Sequence, residues 1–177
     1  MTMLPVLQAG FDALERRRHD LLERLRGSSP EQLAFHPPGG GWSLLEVAEH
    51  MVIVEEAVGQ QIQKNEVLAE RRTPSEWVRL RLMRFWLGVG LRARAPRRVR
   101  PEGHASLDEI EQRWAALRQQ LRGNLETVTA EDLDRLIARH PVAGNVTLAD
   151  SVSFLEQHFD HHLRQMKRVR EAAGFPK

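Results

Sequence analysis

Cysteine is absent from the 177-residue chain. A protein without cysteine has no disulfide bonds, no thiolate ligands for a metal ion and no cysteine nucleophile. Any metal ion that this chain binds must therefore be held by nitrogen and oxygen atoms. Histidine and the carboxylates are then the side chains in which to look for a metal site.

Long apolar runs are absent as well. No stretch approaches the roughly 20 apolar residues of a membrane-spanning helix, and the N-terminal region lacks the apolar segment of a secretion signal. We therefore expect a cytoplasmic protein with no membrane partner. Hydrophobic residues make up 41% and charged residues 28% of the chain, which is typical of a globular protein. At this length we expect one domain over residues 1–177.

Aromatic residues are scarce, at 6%, and β-branched runs are short, whereas apolar residues recur at helical spacing. Long helices are predicted over 5–26, 44–70, 106–125 and 147–174, with a shorter helix over 74–87, a loop over 92–103 and a helical piece from 129 that stops at 140. Ser43 with Glu46 and Ser106 with Glu109 form capping boxes at two helix starts. Long helices joined in this way predict an all-α fold, a four-helix bundle.

Basic charge is concentrated in one segment. Residues 71–100, the arginine-rich segment, hold ten arginines and a single acid, Glu76, and therefore carry +9, while the rest of the chain carries −7. With Trp77 and Phe85, this segment has a composition found in surfaces that bind nucleic acids or anionic membranes. The alternative is a bundle helix with a solvated arginine face. We favour this alternative and do not expect nucleic acid as a partner, because one basic segment makes a poor groove-tracking surface.

Three histidines lie on the apolar faces of predicted helices. At about 100° per residue, His158 and His162 fall in the apolar stripe of the last helix, and His50 falls in that of the second. Side chains at i and i+4 project from one face with Cβ atoms roughly 6 Å apart, which suits two bonds to one metal ion. A third imidazole from a packed neighbour completes a three-histidine site with an open coordination position, as catalytic metal sites have.

A structural interpretation of these histidines stays open at this stage. A lone histidine on an apolar stripe is usually a hydrogen-bonded core residue, and His50 taken alone fits that description. A buried imidazole must satisfy two nitrogen atoms, and three in one core are unfavourable unless something coordinates them. Spacing along the chain does not demonstrate that the three converge.

Several other catalytic motifs are missing. Phe159 stands where the zinc-protease motif H-E-x-x-H requires glutamate. The Glu-x-x-His pairs of carboxylate-bridged di-iron bundles are absent, and so is the G-x-S-x-G motif of serine hydrolases. No lysine follows the glycines at 39–41, so the chain also lacks the phosphate-binding glycine motif.

Three motifs, taken in order, resemble the DinB/YfiT-like superfamily of metal-dependent enzymes. They are P-x-G-G-G-W-S-x-x-E-x-x-x-H over 37–50, H-P-x-x-G-x-x-T over 140–147 and H-x-x-x-H-x-x-Q over 158–165. The resemblance covers nearly the whole chain. It implies a four-helix bundle with up-down-down-up connectivity, commonly a homodimer, and a metal triad that falls here on His50, His158 and His162.

Two further residues are expected to support that triad, because metal-bound imidazoles generally need hydrogen-bond partners. Glu46 lies one turn before His50 and can accept a hydrogen bond from its free ring nitrogen, although a capping role alone also explains Glu46. Gln165 lies one turn after His162 and can order a bound water or ligand. Trp42 is interpreted as a packing residue at the end of the bundle.

The resemblance also implies a type of chemistry. Relatives include S-transferases that use low-molecular-weight thiols and a mycothiol-dependent isomerase. We therefore expect one divalent transition metal (Zn, Ni or Fe) that activates a thiol cosubstrate or water for attack on a small electrophile, with the arginine-rich segment helping to bind an anionic thiol. The alternative is a non-enzymatic, stress-related binding module in which the metal is structural.

Overall fold

The computed structural model describes residues 2–90 and 95–177, which form a mostly helical protein with one small β-hairpin. The elements, in chain order, are α1 (Pro5–Arg26), α2 (Pro30–Ala34), α3 (Leu44–Lys64), α4 (Pro74–Val89), α5 (Leu107–Glu126), β1 (Leu136–His140), β2 (Gly144–Thr147) and α6 (Leu148–Arg170). Short 3-10 turns lie at Arg97–Val99 and Ala130–Asp132. Within this described part of the chain, no helix is long and apolar enough to cross a membrane.

Capping boxes start the helices that frame the core. The side chains of Ser43 and Ser106 accept hydrogen bonds from the backbone three residues later, at the first turns of α3 and α5. Thr73 and Thr147 do the same for α4 and α6. Each box satisfies backbone N–H groups that have no partner inside the helix. These starts lie where the local sequence predicts them.

The core lies among the four long helices. Helices α5 and α6 each pack against both α1 and α3. Trp114 of α5 is fully buried and stacks on Phe159 of α6, with ring centroids 5.8 Å apart. Because α3 packs directly on α6, side chains on the apolar stripes of these two helices meet inside the protein.

The hairpin corrects the all-α expectation. Residues 136–140 form strand β1, which pairs with the antiparallel β2, where the sequence pattern predicts a helical piece. Leu136, Ile137 and Ala138 are consecutive and buried, so the strand lacks the alternation that identifies a half-buried strand. A bridge from Ala69 to Leu136 adds a contact with a distant part of the chain. Pairing with distant residues therefore decides the conformation here.

Helix α3 also ends earlier than predicted, at Lys64 rather than near residue 70. Asn65 closes it in the left-handed conformation, with φ of 47°, and asparagine tolerates that conformation better than most residues. The backbone that follows turns toward β1, where the N–H of Leu68 donates to the Leu136 carbonyl. The loop predicted over 92–103 contains the 3-10 turn, and its residues 92–94 lie outside the described residues.

Helix α4 is covered on one side only. Its inner side, which includes Leu80, Met83 and Leu87, is buried, and the helix packs on α6 and β2. The opposite side carries large apolar residues that are exposed: Val78, Leu82, Phe85, Trp86 and Val89. We call these five residues the α4 apolar face.

Candidate metal centre

The three histidines on the apolar stripes converge. His50 on α3 and His158 and His162 on α6 are all buried, and one ring nitrogen of each lies within 4.8 Å of those of the other two. Ring centroids are 4.3 Å apart for His158 and His162, 4.7 Å for His50 and His162, and 5.2 Å for His50 and His158. Packing of α3 on α6 thus assembles a cluster that the sequence shows only as separate helical positions.

Hydrogen bonds fix the orientation of two of these rings. The Nδ1 atom of His50 lies 2.6 Å from the Val99 carbonyl oxygen, and Nδ1 of His162 lies 2.8 Å from Oε1 of Gln165. Carbonyl and amide oxygens only accept hydrogen bonds, so each Nδ1 carries the proton. The lone pair of each ring therefore lies on Nε2, which is left available to bind a metal ion.

The spacing of the nitrogen atoms fits a shared ion. Nε2 of His162 lies 3.0 Å from Nε2 of His158. Two imidazole nitrogens bound to one tetrahedral zinc at about 2.0–2.1 Å stand roughly 3.3 Å apart. The observed distance is close to that separation, so the donor set matches a site for one transition-metal ion.

Burial keeps the three rings neutral. Desolvation lowers the pKa of His50 and lowers that of His158 well below its usual range. Desolvation, reinforced by the neighbouring His50, lowers the pKa of His162 to about 3. A metal ion binds the neutral imidazole, so at neutral pH these side chains are in the form that coordinates.

Glu46 does not make the hydrogen bond that the sequence suggests. Its carboxylate accepts from the Ser43 backbone N–H at 2.8 Å and lies 2.7 Å from Nε2 of His36. At the third position of α3 the side chain points back to the helix start, and the Val99 carbonyl occupies the position beside Nδ1 of His50. Glu46 is therefore a capping residue, and Val99 takes the role expected of it.

Sequence reasoning missed two neighbours of the triad, Val99 and Phe154. The Val99 carbonyl lies in a stretch predicted as loop, and no sequence signal marks a backbone acceptor. Phe154 lies against His158, with ring centroids 5.2 Å apart, and His140 lies against Phe154 at 4.8 Å. Trp42 does pack at this end of the protein, with its ring 4.7 Å from that of His50.

The described arginines of the arginine-rich segment fall into two groups, which are paired and exposed side chains. Arg72 and Arg84 both pair with Asp150 at the start of α6, the second at 2.8 Å, so part of the segment holds α4 against α6. The other described arginines of the segment are exposed: Arg71, Arg79, Arg81, Arg97, Arg98 and Arg100. The last three flank Val99, whose carbonyl contacts His50.

Among the described residues, a second group of three potential ligands occurs on α1. His19, Asp20 and Glu23 are all exposed to solvent. Exposed acidic clusters are common without a metal ion, and the pair formed by His19 and Glu23 is loose at 4.0 Å. This group differs from the triad in burial and in the absence of orienting hydrogen bonds.

Comparisons with known proteins point to one family. The chain is 24% identical over 155 residues to the uncharacterized protein YuaE of Bacillus subtilis (strain 168), an alignment that covers 87% of this chain and 93% of that protein. No solved structure gives a significant match. The family model of the DinB superfamily matches residues 13–166, which is most of the chain. The protein therefore belongs to the DinB superfamily.

Proposed function

We propose that this protein is a metal-dependent enzyme whose ion is held by His50, His158 and His162. The observation that carries the proposal is the convergence of three buried, neutral imidazoles from two helices. The Nε2 atoms of His158 and His162 lie 3.0 Å apart, a separation that a shared ion would explain. DinB-like proteins are usually metal-binding, which supports the same conclusion.

The chain itself supplies the ligand geometry. Val99 and Gln165 hold Nδ1 of His50 and His162, so the two Nε2 atoms face a common point with His158. Imidazole suits divalent Zn, Ni or Fe, and three protein ligands leave a coordination position open. When bound, such an ion lowers the pKa of a water or thiol held at that position.

The substrate side of the proposal concerns a low-molecular-weight thiol. Arg97, Arg98 and Arg100 are exposed and flank Val99, whose carbonyl contacts His50, and we take them as the source of positive charge near the site. An anionic thiol such as glutathione would find its charged groups matched there. We propose a transferase-type reaction in the cytoplasm, in which the thiol loses its proton, its sulfur bonds to a carbon of a small electrophilic substrate, and the group displaced from that carbon leaves with the bonding electron pair. Attack by water, a hydrolase reaction, is the variant that the same site would perform without a thiol.

The competing proposal is a stress-related binding module in which the metal is structural. A buried triad would stabilise the fold in that case too, so metal-dependent melting does not separate the two proposals. Exchange of a small ligand at the ion does separate them, because a structural site has no vacant position.

We also propose that the four long helices form the up-down-down-up bundle of this superfamily. Parallel neighbouring helices need a connection that returns along the bundle. Residues 65–106 between α3 and α5 include α4 and are long enough for that return, whereas α1 and α3 are joined by the shorter residues 27–43.

The homodimer is the last part of the proposal. Apolar surface of the kind seen on the α4 apolar face marks interaction sites when it is contiguous. A second copy of the chain presents the same helix, and a two-fold axis would bury the two faces against each other.

Elemental analysis tests the metal site. We expect about one equivalent of a transition metal in protein purified without chelators, and loss of that metal in His50→Ala and His158→Ala. His19→Ala is the matched control, because His19 belongs to the exposed group on α1, and it should retain the metal. Wild-type protein without metal, even after reconstitution, would refute the metal-enzyme proposal.

Glutathione binding tests the thiol. Protein loaded with Co²⁺ should develop a sulfur-to-metal charge-transfer band with glutathione and none with S-methylglutathione. Replacing both Arg97 and Arg98 by Gln should weaken the titration while the Co²⁺ content stays the same, and Arg139→Gln, an exposed arginine on β1, should leave it unchanged. Absence of the band in the wild type would leave water as the activated molecule.

A further inference from the structure

His140 is an imidazole outside the triad that the proposed chemistry does not yet use. It ends β1, and its ring lies edge-on against Phe154 with centroids 4.8 Å apart. Phe154 in turn lies 5.2 Å from the ring of His158. The His140 ring is therefore at most 10.0 Å from the His158 ring, close enough for a small ligand to touch both the ion and His140.

The hairpin turn fixes the tautomer of His140. Nδ1 accepts hydrogen bonds from the backbone N–H groups of Val142 and Ala143, both at 3.1 Å. The ring proton must therefore lie on Nε2. Desolvation lowers the pKa of His140 to about 4, so the ring is neutral near pH 7 and Nε2–H is a directed donor without charge.

Nε2 of His140 has no partner within the described part of the chain. No hydrogen bond from it is formed there, and the His140 side chain is only half-buried. Among the described residues the donor is thus unpaired, and two backbone hydrogen bonds and Phe154 set its orientation. A pre-oriented, unpaired donor one aromatic ring away from a metal triad is the kind of group that orients a bound ligand.

We propose that His140 donates its Nε2–H to an oxygen atom of the ligand bound at the triad. The inference rests on the proposed function, because it takes the ion as the anchor for one end of the ligand. It assigns a substrate class: molecules with a metal-binding atom and, a few ångströms away, a carboxylate or carbonyl oxygen. His140 is a substrate-positioning residue on this assignment.

The test uses acetate and chloride as probes of the Co²⁺-loaded, full-length protein, followed by the visible spectrum of the ion. In the proposed arrangement, acetate binds the ion through one oxygen and accepts from His140 through the other, whereas chloride has no second acceptor. Asparagine retains an acceptor near the place of Nδ1, and glutamine places its amide N–H near the place of Nε2. We expect about tenfold weaker acetate binding in His140→Asn, binding within about threefold of wild type in His140→Gln, and unchanged chloride binding in both.

The variants His140→Asn and His140→Gln distinguish a role of His140 in positioning the ligand from a role in stabilising the hairpin turn. If His140 only stabilises the hairpin, His140→Gln is the more damaged variant and both anions are affected alike. That result would overturn the inference, and so would acetate binding by His140→Asn at wild-type strength. His104→Asn, at an exposed position, controls for loss of an imidazole. Wild-type protein that takes up no Co²⁺ would instead refute the proposed function itself.

Discussion

At the scale of single residues, the metal site depends on the atoms that hold the imidazoles as much as on the imidazoles themselves. Gln165 is one helical turn beyond His162 and accepts its Nδ1–H at 2.8 Å. That contact selects the tautomer and holds the ring against rotation. Loss of the acceptor would leave the Nδ1–H of a buried ring unpaired and its Nε2 less well directed.

Gln165→Leu should therefore weaken metal binding by roughly tenfold or more, while Gln165→Glu, which retains an acceptor, should bind at least as tightly as wild type. Competition with a chromophoric chelator measures both affinities. Gln157→Leu is the control, because Gln157 lies on the same helix and, among the described residues, its side chain bonds to Ser153 and not to the triad. Equal affinities for Gln165→Leu and wild type would show that the hydrogen bond does not support the ligand.

Gly144 is a second residue whose role is visible only in three dimensions. It begins β2 with φ of +82°, and a Cβ atom placed there would lie 2.7 Å from the Glu76 side chain. Both the conformation and the contact exclude a larger residue. The close approach is what lets the Asn145 N–H donate to Glu76 at 3.0 Å.

Gly144→Ala should lower the free energy of unfolding by about 1–3 kcal/mol. Gly123→Ala, in open space on helix α5, should instead raise it by about 0.5–1 kcal/mol, because alanine favours the helix. Urea titrations followed by circular dichroism compare the two variants. A Gly144→Ala protein as stable as wild type would mean that Glu76 and the hairpin move apart at no cost.

At the scale of secondary-structure elements, Glu76 joins the hairpin to α4. Its carboxylate accepts from the Thr73 backbone and side chain at the start of α4 and from Asn145 on β2. The backbone hydrogen bonds to Asn145 and Thr73 lower the pKa of Glu76 to about 2. The folded state therefore stabilises the ionised form of the Glu76 side chain.

This lowered pKa predicts a pH dependence. The folded pKa of about 2 lies below the ordinary 4.5, so ionised Glu76 stabilises the fold fully above pH 4.5, and that stabilisation is lost as the pH falls toward 2. Glu76→Gln should lower the urea midpoint at pH 7, and the difference from wild type should shrink below pH 4.5. Glu66→Gln, at an exposed position, should show little difference at either pH. A Glu76→Gln deficit that stays constant between pH 7 and pH 3 would contradict the assignment.

At the scale of the whole molecule, the unusual surface is the α4 apolar face. Leu82 is 61% exposed and Phe85 66% exposed, although the inner side of the same helix is packed on α6. Burial of such side chains gains roughly 1.5–3 kcal/mol each. In water, this gain favours a partner surface of similar character.

The dimer proposal predicts that wild-type protein elutes with twice the mass of one chain in size exclusion with light scattering. Leu82→Glu with Phe85→Glu should give a monomer with unchanged circular dichroism, because both residues face away from the core. Val142→Glu is the matched control, since Val142 is 58% exposed on the hairpin turn, and it should remain dimeric. A monomeric wild type would refute the dimer, and a dimer that survives both glutamates would place the interface elsewhere.

Local sequence determined the helices and the placement of the site on them. The capping boxes at Ser43, Ser106 and Thr147 involve residues three apart, and helical periodicity relates His158 to His162 across a single turn. Such interactions require only neighbours along the chain. The position of His50 on the apolar face of its helix is also a local feature of the sequence, and it identified His50 as the third histidine of the triad.

Tertiary structure decided everything that depends on distant partners. The β-hairpin forms because residues 136–140 pair with β2 and with Ala69. The Val99 carbonyl, 49 positions away in the chain, accepts the hydrogen bond from Nδ1 of His50. By itself, the sequence suggests Glu46 as that acceptor. His161 is buried although it lies off the centre of the apolar stripe of α6, because α4 packs on that helix too. The pattern of apolar residues in a sequence indicates which side chains are buried, because burial follows the period of the helix. Only the packing of the helices determines which buried side chains contact one another.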